Sequence, residues 1–492
     1  MEREFDVVVL GAGAVGENVA DRVRAAGLDV AIVEHELVGG ECSYWACVPS
    51  KALLRSATAL RAARRVPGAA EAVTGELDVP AVLARRDYWV SDWDDHGGVK
   101  WVASIGAELV RGHGRLDGER RVVVTQADGE EVVLVARHAV AVCTGSTPML
   151  PGIPGLDDAR PWTSRDATSV HSVPERLAVI GGGVVAAEMA SVYAGFGTEV
   201  TVLVRSTMLG TMEPFAGEAV VAGLRAAGAT VRLGVTPERV ERDADDAVVI
   251  TLEGGETVVA DEVLVATGRM PRTTGMGVES VGLEPGAWIE VDDTLAVTAA
   301  SAAGAGIDGD GDAAAPWLYA VGDVNHRALF THQGKYQARA AGDVIAARAA
   351  GTPVDDAPWG THVATADHAA VPQVTFSDPE VASVGLTQAA AENAGYRIRV
   401  LDYDLSWLGG ATVLADDYTG RARAIVDLDR EVLLGVTFVG QDVAELLHSA
   451  TIAVVGEVPI GRLWHAVPSY PTLSEVWLRL LEQYGRPGGV TR

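Results

Sequence analysis

The sequence predicts an α/β protein with two Rossmann-like, three-layer modules followed by a C-terminal α+β part. Three observations carry this. A strand, a glycine-rich turn and a helix open the chain, with Gly11, Gly13 and Gly16 spaced as GxGxxG. The same order returns at Gly181-Gly182-Gly183 and Ala186 in mid-chain. From about Val371 the pattern changes to short runs that alternate as strands do.

The bulk numbers are those of a globular protein. With 492 residues the chain can build about two to four domains, each burying its own core. A hydrophobic fraction of 48% and a charged fraction of 22% are ordinary for a soluble chain. A formal charge of −28 argues against nucleic acid and anionic lipid as partners. No apolar run of about 18 residues appears, so no membrane span is expected. Cys42, Cys47 and Cys143 are the only cysteines, too few for a secreted disulfide scaffold. The opening Met1 to Asp6 also lacks the basic region and cleavage site of a signal peptide. A reducing cytoplasm is therefore the expected location. Arginine far outnumbers lysine, and Lys51, Lys100 and Lys335 are the only lysines.

The first module reads as a strand from Phe5 to Leu10, a helix to about Gly27 and a strand from Asp29 to Val33 that ends at Glu34. The glycines let backbone approach a pyrophosphate at the helix N-terminus, and Glu34 can accept hydrogen bonds from a ribose. The second module repeats this with a strand from Leu177 to Ile180, a helix through about Phe196 and a strand from Glu199 to Val204. Two such modules imply two dinucleotides. FAD at the first and a nicotinamide cofactor at the second is the economical assignment. An apolar strand precedes Cys143-Thr144-Gly145-Ser146, and Thr267-Gly268-Arg269 is its counterpart after the second module. Cys143 reads as a small core residue.

Between Ser301 and Ala315 the chain is rich in Gly and Asp and reads as a flexible insertion. Asp308, Asp310 and Asp312 hint at a calcium loop. Ala313 stands where the loop needs glycine, however, and Tyr319 where it needs a bidentate acid, so no metal site is expected.

The most informative stretch is Gly39-Gly40-Glu41-Cys42-Ser43-Tyr44-Trp45-Ala46-Cys47-Val48-Pro49-Ser50-Lys51. A cysteine pair on the first turn of a helix can close a short-range disulfide, with its thiolates stabilised by the helix N-terminus and a nearby cation. Such a bond suits a disulfide opened and closed during catalysis better than a structural staple.

This segment closely resembles the active-site disulfide of the flavoprotein disulfide reductases, the group that includes dihydrolipoamide dehydrogenase, glutathione reductase and mercuric reductase. The resemblance extends over essentially the whole chain. It implies that Cys47 is the sulfur next to the flavin and that Cys42 is the interchange sulfur that meets substrate. It pairs Lys51 with Glu188 close to the flavin N5. It makes Leu318-Tyr-Ala-Val-Gly322-Asp323 the second FAD motif, with Asp323 on the ribityl hydroxyls. The helix that opens at Thr331-His332 would then point its N-terminus at the flavin pyrimidine ring, with His332 as a backbone donor. Gly40 and Gly114 join the FAD site, and Gly268 and Arg269 close the second nucleotide site. Val371 to Thr387 and Leu434 to Gly440 resemble the family's dimerisation domain, which implies a homodimer with shared active sites. The implied division is residues 1–155 and 276–355 for FAD, 156–275 for the nicotinamide cofactor and 356–492 for dimerisation.

Two features bear on specificity. NAD-binding versions place an acid at the end of the second strand of the module, whereas here Val204 is followed by Arg205. An arginine can bind a 2′-phosphate through charge-assisted hydrogen bonds, so NADPH is expected, with NADH as the alternative. Near the C-terminus, Pro468-Ser469-Tyr470-Pro471-Thr472-Leu473-Ser474-Glu475 keeps the proline and threonine of the family's His-Pro-Thr motif and the glutamate that follows it. Tyr470 replaces the histidine. A phenol titrates near pH 10 and an imidazole near 6.5, so tyrosine is no equivalent acid/base at neutral pH. His465 is out of register for that task.

The resulting expectation is an FAD-dependent NAD(P)H oxidoreductase. It passes electrons through the Cys42–Cys47 pair to a small disulfide or quinone-like acceptor. A soluble pyridine-nucleotide transhydrogenase and a mercuric-reductase-like enzyme, both of which carry tyrosine at this place, are the enzymatic alternatives. A flavin-fold subunit acting as an interaction module is the non-enzymatic one.

Overall fold

The computed structural model describes residues 1–299 and 315–486. The Gly- and Asp-rich stretch with Asp308, Asp310 and Asp312, apart from its last residue, lies outside the described residues. The chain forms two compact units. The first gathers Met1–Pro49, Asp87–Met149 and Arg269–His368, and the second Ser50–Arg86, Leu150–Gly268 and the chain from Ala369 onward.

The first unit is built on a parallel sheet. Its central strand, Glu2–Leu10, pairs with Val30–Glu34 on one side and Glu131–Val142 on the other. Glu108–Arg111 extends one edge, and Leu318–Ala320 joins Glu131–Val142. Val7, Val8, Val9 and Leu10 are all buried, as a parallel strand covered on both faces requires. Arg121–Thr125 and His113–Leu116 continue the sheet as an antiparallel ribbon. Helices Ala14–Ala25 and Thr331–Ala349 pack closely because Gly342 has no side chain, for a Cβ there would lie 2.5 Å from Cβ of Arg22. The central strand has a neighbour on each side, so the chain reverses its winding there. The crevice beyond Leu10 is where such sheets bind ligands.

The second unit holds a parallel sheet in the order Thr230–Leu233, Glu199–Val204, Arg176–Ile180, Glu262–Val265, with helices Val184–Gly195 and Pro214–Ala226. Pro237–Arg242, Val248–Leu252 and Thr257–Ala260 form a separate antiparallel sheet. C-terminal to these, a five-stranded antiparallel sheet runs Gln373–Thr375, Glu380–Gly385, Val432–Gly440, Arg421–Asp427, Ile398–Asp404. Helices Leu447–Val455 and Val476–Tyr484 bury their apolar faces with it around Phe438. The expected α/β class, with nucleotide-binding sheets and an α+β C-terminal part, is what the chain adopts. Cys143 is 7% exposed in the core, where burial pushes its thiol up. Among the described residues no helix is long and apolar enough to cross a membrane, and no cluster of metal-ligating side chains occurs.

Candidate active site

Each glycine of the first fingerprint has its own task. Gly11 has φ +102°, and a Cβ on it would stand 2.6 Å from the carbonyl oxygen of Cys143. A Cβ on Gly16 would stand 1.9 Å from the Gly11 oxygen, so the first turn of the helix can nest on the turn before it only as glycine. Gly13 caps the helix and bridges to Gly39, while Gly40, at φ +60°, approaches so closely that its Cβ would lie 2.8 Å from the Gly13 Cα. Three stretches of bare backbone thus meet at a helix N-terminus, where unpaired N–H groups favour an anion. Gly114 differs from this group. A Cβ there would meet Leu10 Cδ2 at 2.8 Å and Val33 Cγ1 at 3.0 Å, so it lets the sheet pack beneath the ends of the two strands.

Glu34 is buried at the end of its strand. Its Oε2 accepts from Ala12 N at 2.8 Å and its Oε1 from Glu36 N at 2.8 Å, with His35 Nδ1 3.3 Å away. Burial alone would raise the carboxyl, and these donors more than offset it, so the pKa is lowered. Farther along, Gly145 has φ +71° and the buried Thr144 Oγ1 has no hydrogen-bond partner among the described residues. Ser146 Oγ donates to Asp323 Oδ2 at 2.5 Å, and Arg269 Nε donates to Ser146 Oγ at 2.6 Å. Burial pushes Asp323 up. Gly322, at φ +83°, donates its N–H to Gln337 Oε1 at 2.8 Å, which fixes the turn that presents Asp323. The glycine cradle, the strand-end carboxylate and the orphaned Thr144 hydroxyl all fit a bound FAD.

The cysteines lie in the same unit. Cys42 sits in the short helix Gly40–Tyr44, and Cys47 is the first residue of helix Cys47–Arg64. They are two thiols, not joined by a disulfide. Thr331 Oγ1, on the first residue of its helix, is 3.3 Å from Cys47 Sγ. His332 follows, exposed and stacked on Phe330 with ring centroids 5.4 Å apart. A helix N-terminus alone would depress a thiol. Cys42 is instead pushed up, first by its hydrogen bond to Cys47 and then by burial, with the Thr331 hydroxyl and the Lys335 charge opposing this. The cation acting on Cys42 here is therefore Lys335. Lys335 also acts on Glu17, which burial pushes up to about 7.

In the second unit, Gly181 repeats the arrangement of Gly11. Its φ is +142°, and a Cβ would lie 2.2 Å from the Ala266 oxygen. Gly183 caps helix Val184–Gly195 and faces open space. Ala186 takes the place of the third glycine and is fully buried. Gly268, at φ +148°, ends the crossover segment, and Arg205 stands exposed just after strand Glu199–Val204. Lys51 Nζ donates to Glu188 Oε2 at 2.7 Å, so the expected pair is present. The other oxygen, Oε1, accepts from Phe376 N at 3.0 Å. Tyr470 is 77% exposed and lies over Gly409, where a Cβ would be 3.0 Å from its hydroxyl. Glu475 is buried. Its Oε1 accepts from Arg479, and its Oε2 has no partner among the described residues, so Tyr470 and Glu475 do not bond to each other.

Sequence reading named the dinucleotide glycines, the cysteines and the Lys51–Glu188 pair. It did not give roles to Ser146, Thr331, Gln337 or Phe376, whose partners lie 123 or more residues away except for Gln337, whose Gly322 partner is 15 residues back. Glu17 had a local signal, an acid directly after the third fingerprint glycine.

Comparison with known proteins agrees with this geometry. The family model described as pyridine nucleotide-disulphide oxidoreductase matches residues 5–344, and the model of that family's dimerisation domain matches residues 371–480. A mercuric reductase from Staphylococcus aureus is 29% identical over 476 residues, covering 96% of this chain and 81% of its own. A dihydrolipoyl dehydrogenase from Thermus scotoductus is 33% identical over 484 residues, covering 96% of each chain. Among solved structures, the HOCl-induced flavoprotein disulfide reductase RclA from Escherichia coli, as its Cu(II) complex, superposes with a TM-score of 0.81 at 22% identity. That match covers 98% of this chain and 99% of RclA. LpdA from Mycobacterium tuberculosis gives a TM-score of 0.80 at 22% identity, covering 97% and 99%. Matched through both its nucleotide-binding and its dimerisation regions, the chain belongs to the class I pyridine nucleotide-disulphide oxidoreductases, the FAD-dependent flavoprotein disulfide reductases that use pyridine nucleotides.

Proposed function

We propose that the enzyme takes electrons from NADPH and delivers them through Cys47 and Cys42 to a small disulfide or quinone-like acceptor. The observation that carries this is the cysteine pair itself, two thiols five positions apart at a helix start with the Thr331 hydroxyl 3.3 Å from Cys47 Sγ. Bound FAD supplies the hydride acceptance and two-electron storage that no side chain offers. The protein's part is to hold and gate that chemistry. Gly11, Gly13, Gly16 and Gly40 admit the pyrophosphate, Glu34 holds the ribose, and Thr144, Gly145, Gly322 and Asp323 hold the ribityl region. His332 lends its backbone N–H at the helix N-terminus. Lys51, oriented by Glu188, places positive charge where negative charge gathers on reduction. Gly181, Gly183 and Gly268 serve the nicotinamide site, Arg269 instead steadies Ser146 beside Asp323, and Arg205 takes the 2′-phosphate.

Toward a disulfide acceptor, the Cys42 thiolate attacks one sulfur and the other leaves as a thiolate that takes up a proton. Cys47 then attacks Cys42 Sγ, releases the second thiol and leaves the Cys42–Cys47 bond oxidised. Both subunits of a homodimer contribute to each site, Tyr470 and Glu475 coming from the partner, and the cytoplasm is the setting. The four-segment division at residues 155, 275 and 355 belongs to the same reading. Tyr470 favours a second reading as well. With no histidine to shuttle a proton, a quinone, Hg(II) or a second nicotinamide pool is better suited than lipoamide.

A panel of lipoamide, glutathione disulfide, low-molecular-weight disulfides, quinones and Hg(II), assayed with NADPH and NADH on the parent and Cys42→Ser enzymes, tests this. Cys42→Ser should abolish turnover of the preferred acceptor and leave flavin reduction intact. Undiminished turnover in Cys42→Ser would overturn the cysteine route.

A further inference from the structure

Lys51 meets two groups in the second unit, Glu188 and Phe376, and the proposed function uses only the first. Its Nζ donates to Glu188 Oε2 at 2.7 Å. It also sits 4.9 Å from the centroid of the Phe376 ring, within reach of a cation–π attraction. The side chain as a whole is 38% exposed. The other Glu188 oxygen, Oε1, accepts from the N–H of the same Phe376 at 3.0 Å. One residue thus contacts both members of the pair, with its backbone on the carboxylate and its ring on the cation.

Phe376 is itself firmly placed. It follows strand Gln373–Thr375, whose last residue is fully buried, and its ring packs on the core of the parallel sheet. Two residues on, Asp378 is gripped by Arg61 Nε at 2.7 Å and by Arg65 Nη1 and Nη2 at 3.2 Å each. Arg61 lies on the helix that carries Lys51. The Asp378 carbonyl lies so near Gly223 that a Cβ there would be 1.9 Å away. The short segment from Phe376 to Asp378 is therefore clamped between two helices, which fixes the backbone from which the ring extends.

The geometry points to Phe376 as a positioning residue for Lys51. Its N–H anchors Glu188 through Oε1, and its ring holds the ammonium in one of the orientations that the long, flexible lysine stem could adopt. This rests on the reading of Lys51 as the cation that supports the reduced flavin. A phenylalanine that only filled core space would be replaceable by leucine without consequence for Lys51.

The experiment uses the FAD-loaded enzyme with lysine enriched in carbon-13 at Cε. Lys51, Lys100 and Lys335 are the only lysines, so three signals are expected, and Lys51→Arg identifies the one that matters. An ammonium arm over an aromatic face is shielded. The Lys51 signal should therefore lie upfield of that of exposed Lys100, stay there in Phe376→Tyr and move downfield in Phe376→Leu. Anaerobic rapid mixing with NADPH should show flavin reduction slowed about three- to tenfold in Phe376→Leu, the range a cation–π contact can supply, and restored in Phe376→Tyr. A parent Lys51 signal coincident with that of Lys100 would overturn the proposal, and this holds even where Phe376→Leu fails to fold. Unchanged reduction in Phe376→Leu, alongside slowed reduction in Lys51→Met, would overturn the proposal alone. Unchanged reduction in Lys51→Met would overturn the reading of Lys51 and the proposal with it.

Discussion

Tyr470 stands where the family resemblance leads one to expect a histidine, and Glu475 where it leads one to expect an acid. Glu475 remains buried with an unused oxygen, while Tyr470 lies exposed over Gly409 and makes no bond to it. Tyr470→His would give that oxygen an imidazole to orient. Turnover of lipoamide or glutathione disulfide should then rise, by up to about 10²–10⁴-fold, with the flavin-reduction rate unchanged. Steady-state assays beside rapid mixing read both. Lipoamide turnover in the natural enzyme as fast as in histidine-bearing relatives would contradict the preference for another acceptor. Arg205 offers a second test at this scale. Arg205→Glu should weaken NADPH binding by about 2–3 kcal/mol through a lost charge-assisted bond and added repulsion, with NADH hardly affected. Equal losses for both cofactors, measured by calorimetric titration, would show that the arginine does not read the 2′-phosphate. Glu17 adds a pH dependence. Burial raises its folded-state carboxyl from 4.5 to about 7, so folding favours the protonated form. The stability this lends is present in full below about pH 4.5 and is lost as pH rises through 7. Glu17→Gln should flatten the slope of apoprotein stability over that window, by on the order of 1–3 kcal/mol in denaturant titrations.

At the scale of elements, the two nucleotide modules show what spacing can and cannot tell. The apolar runs and glycines announced both parallel sheets, because a buried parallel strand needs continuous apolar residues and a pyrophosphate needs bare backbone. Their glycines are nonetheless unequal. Gly16 touches Gly11, so Gly16→Ala should displace the first helix and yield protein that purifies without FAD absorbance. Ala186 shows that the equivalent turn of the second module accepts a methyl group, and Ala186→Gly there should cost only about 0.5–1 kcal/mol of stability. At Gly114, which the resemblance gives to the cofactor, an added Cβ would meet the Leu10 and Val33 side chains. The contacts of Thr331 with Cys47 and of Phe376 with Glu188 join segments 284 and 188 residues apart, and no local pattern announces them. The raised Cys42 thiol is likewise a property of the folded pair. Helix position predicts the opposite sign, and the second sulfur first and burial next explain it.

For the molecule as a whole, the match of residues 371–480 to a dimerisation domain leads to a homodimer, and sedimentation should find one. Full activity from a monomer would contradict the shared site. The central claim is that electrons from the nicotinamide reach the cysteine pair by way of FAD. Anaerobic titration of the oxidised, FAD-loaded enzyme with NADPH, followed by visible absorbance, tests it most directly. A long-wavelength thiolate-to-flavin band is expected after two electrons, absent from a Cys47→Ser variant. Bleaching of the flavin without that band, with the Cys42 and Cys47 thiols no more titratable than before, would contradict it.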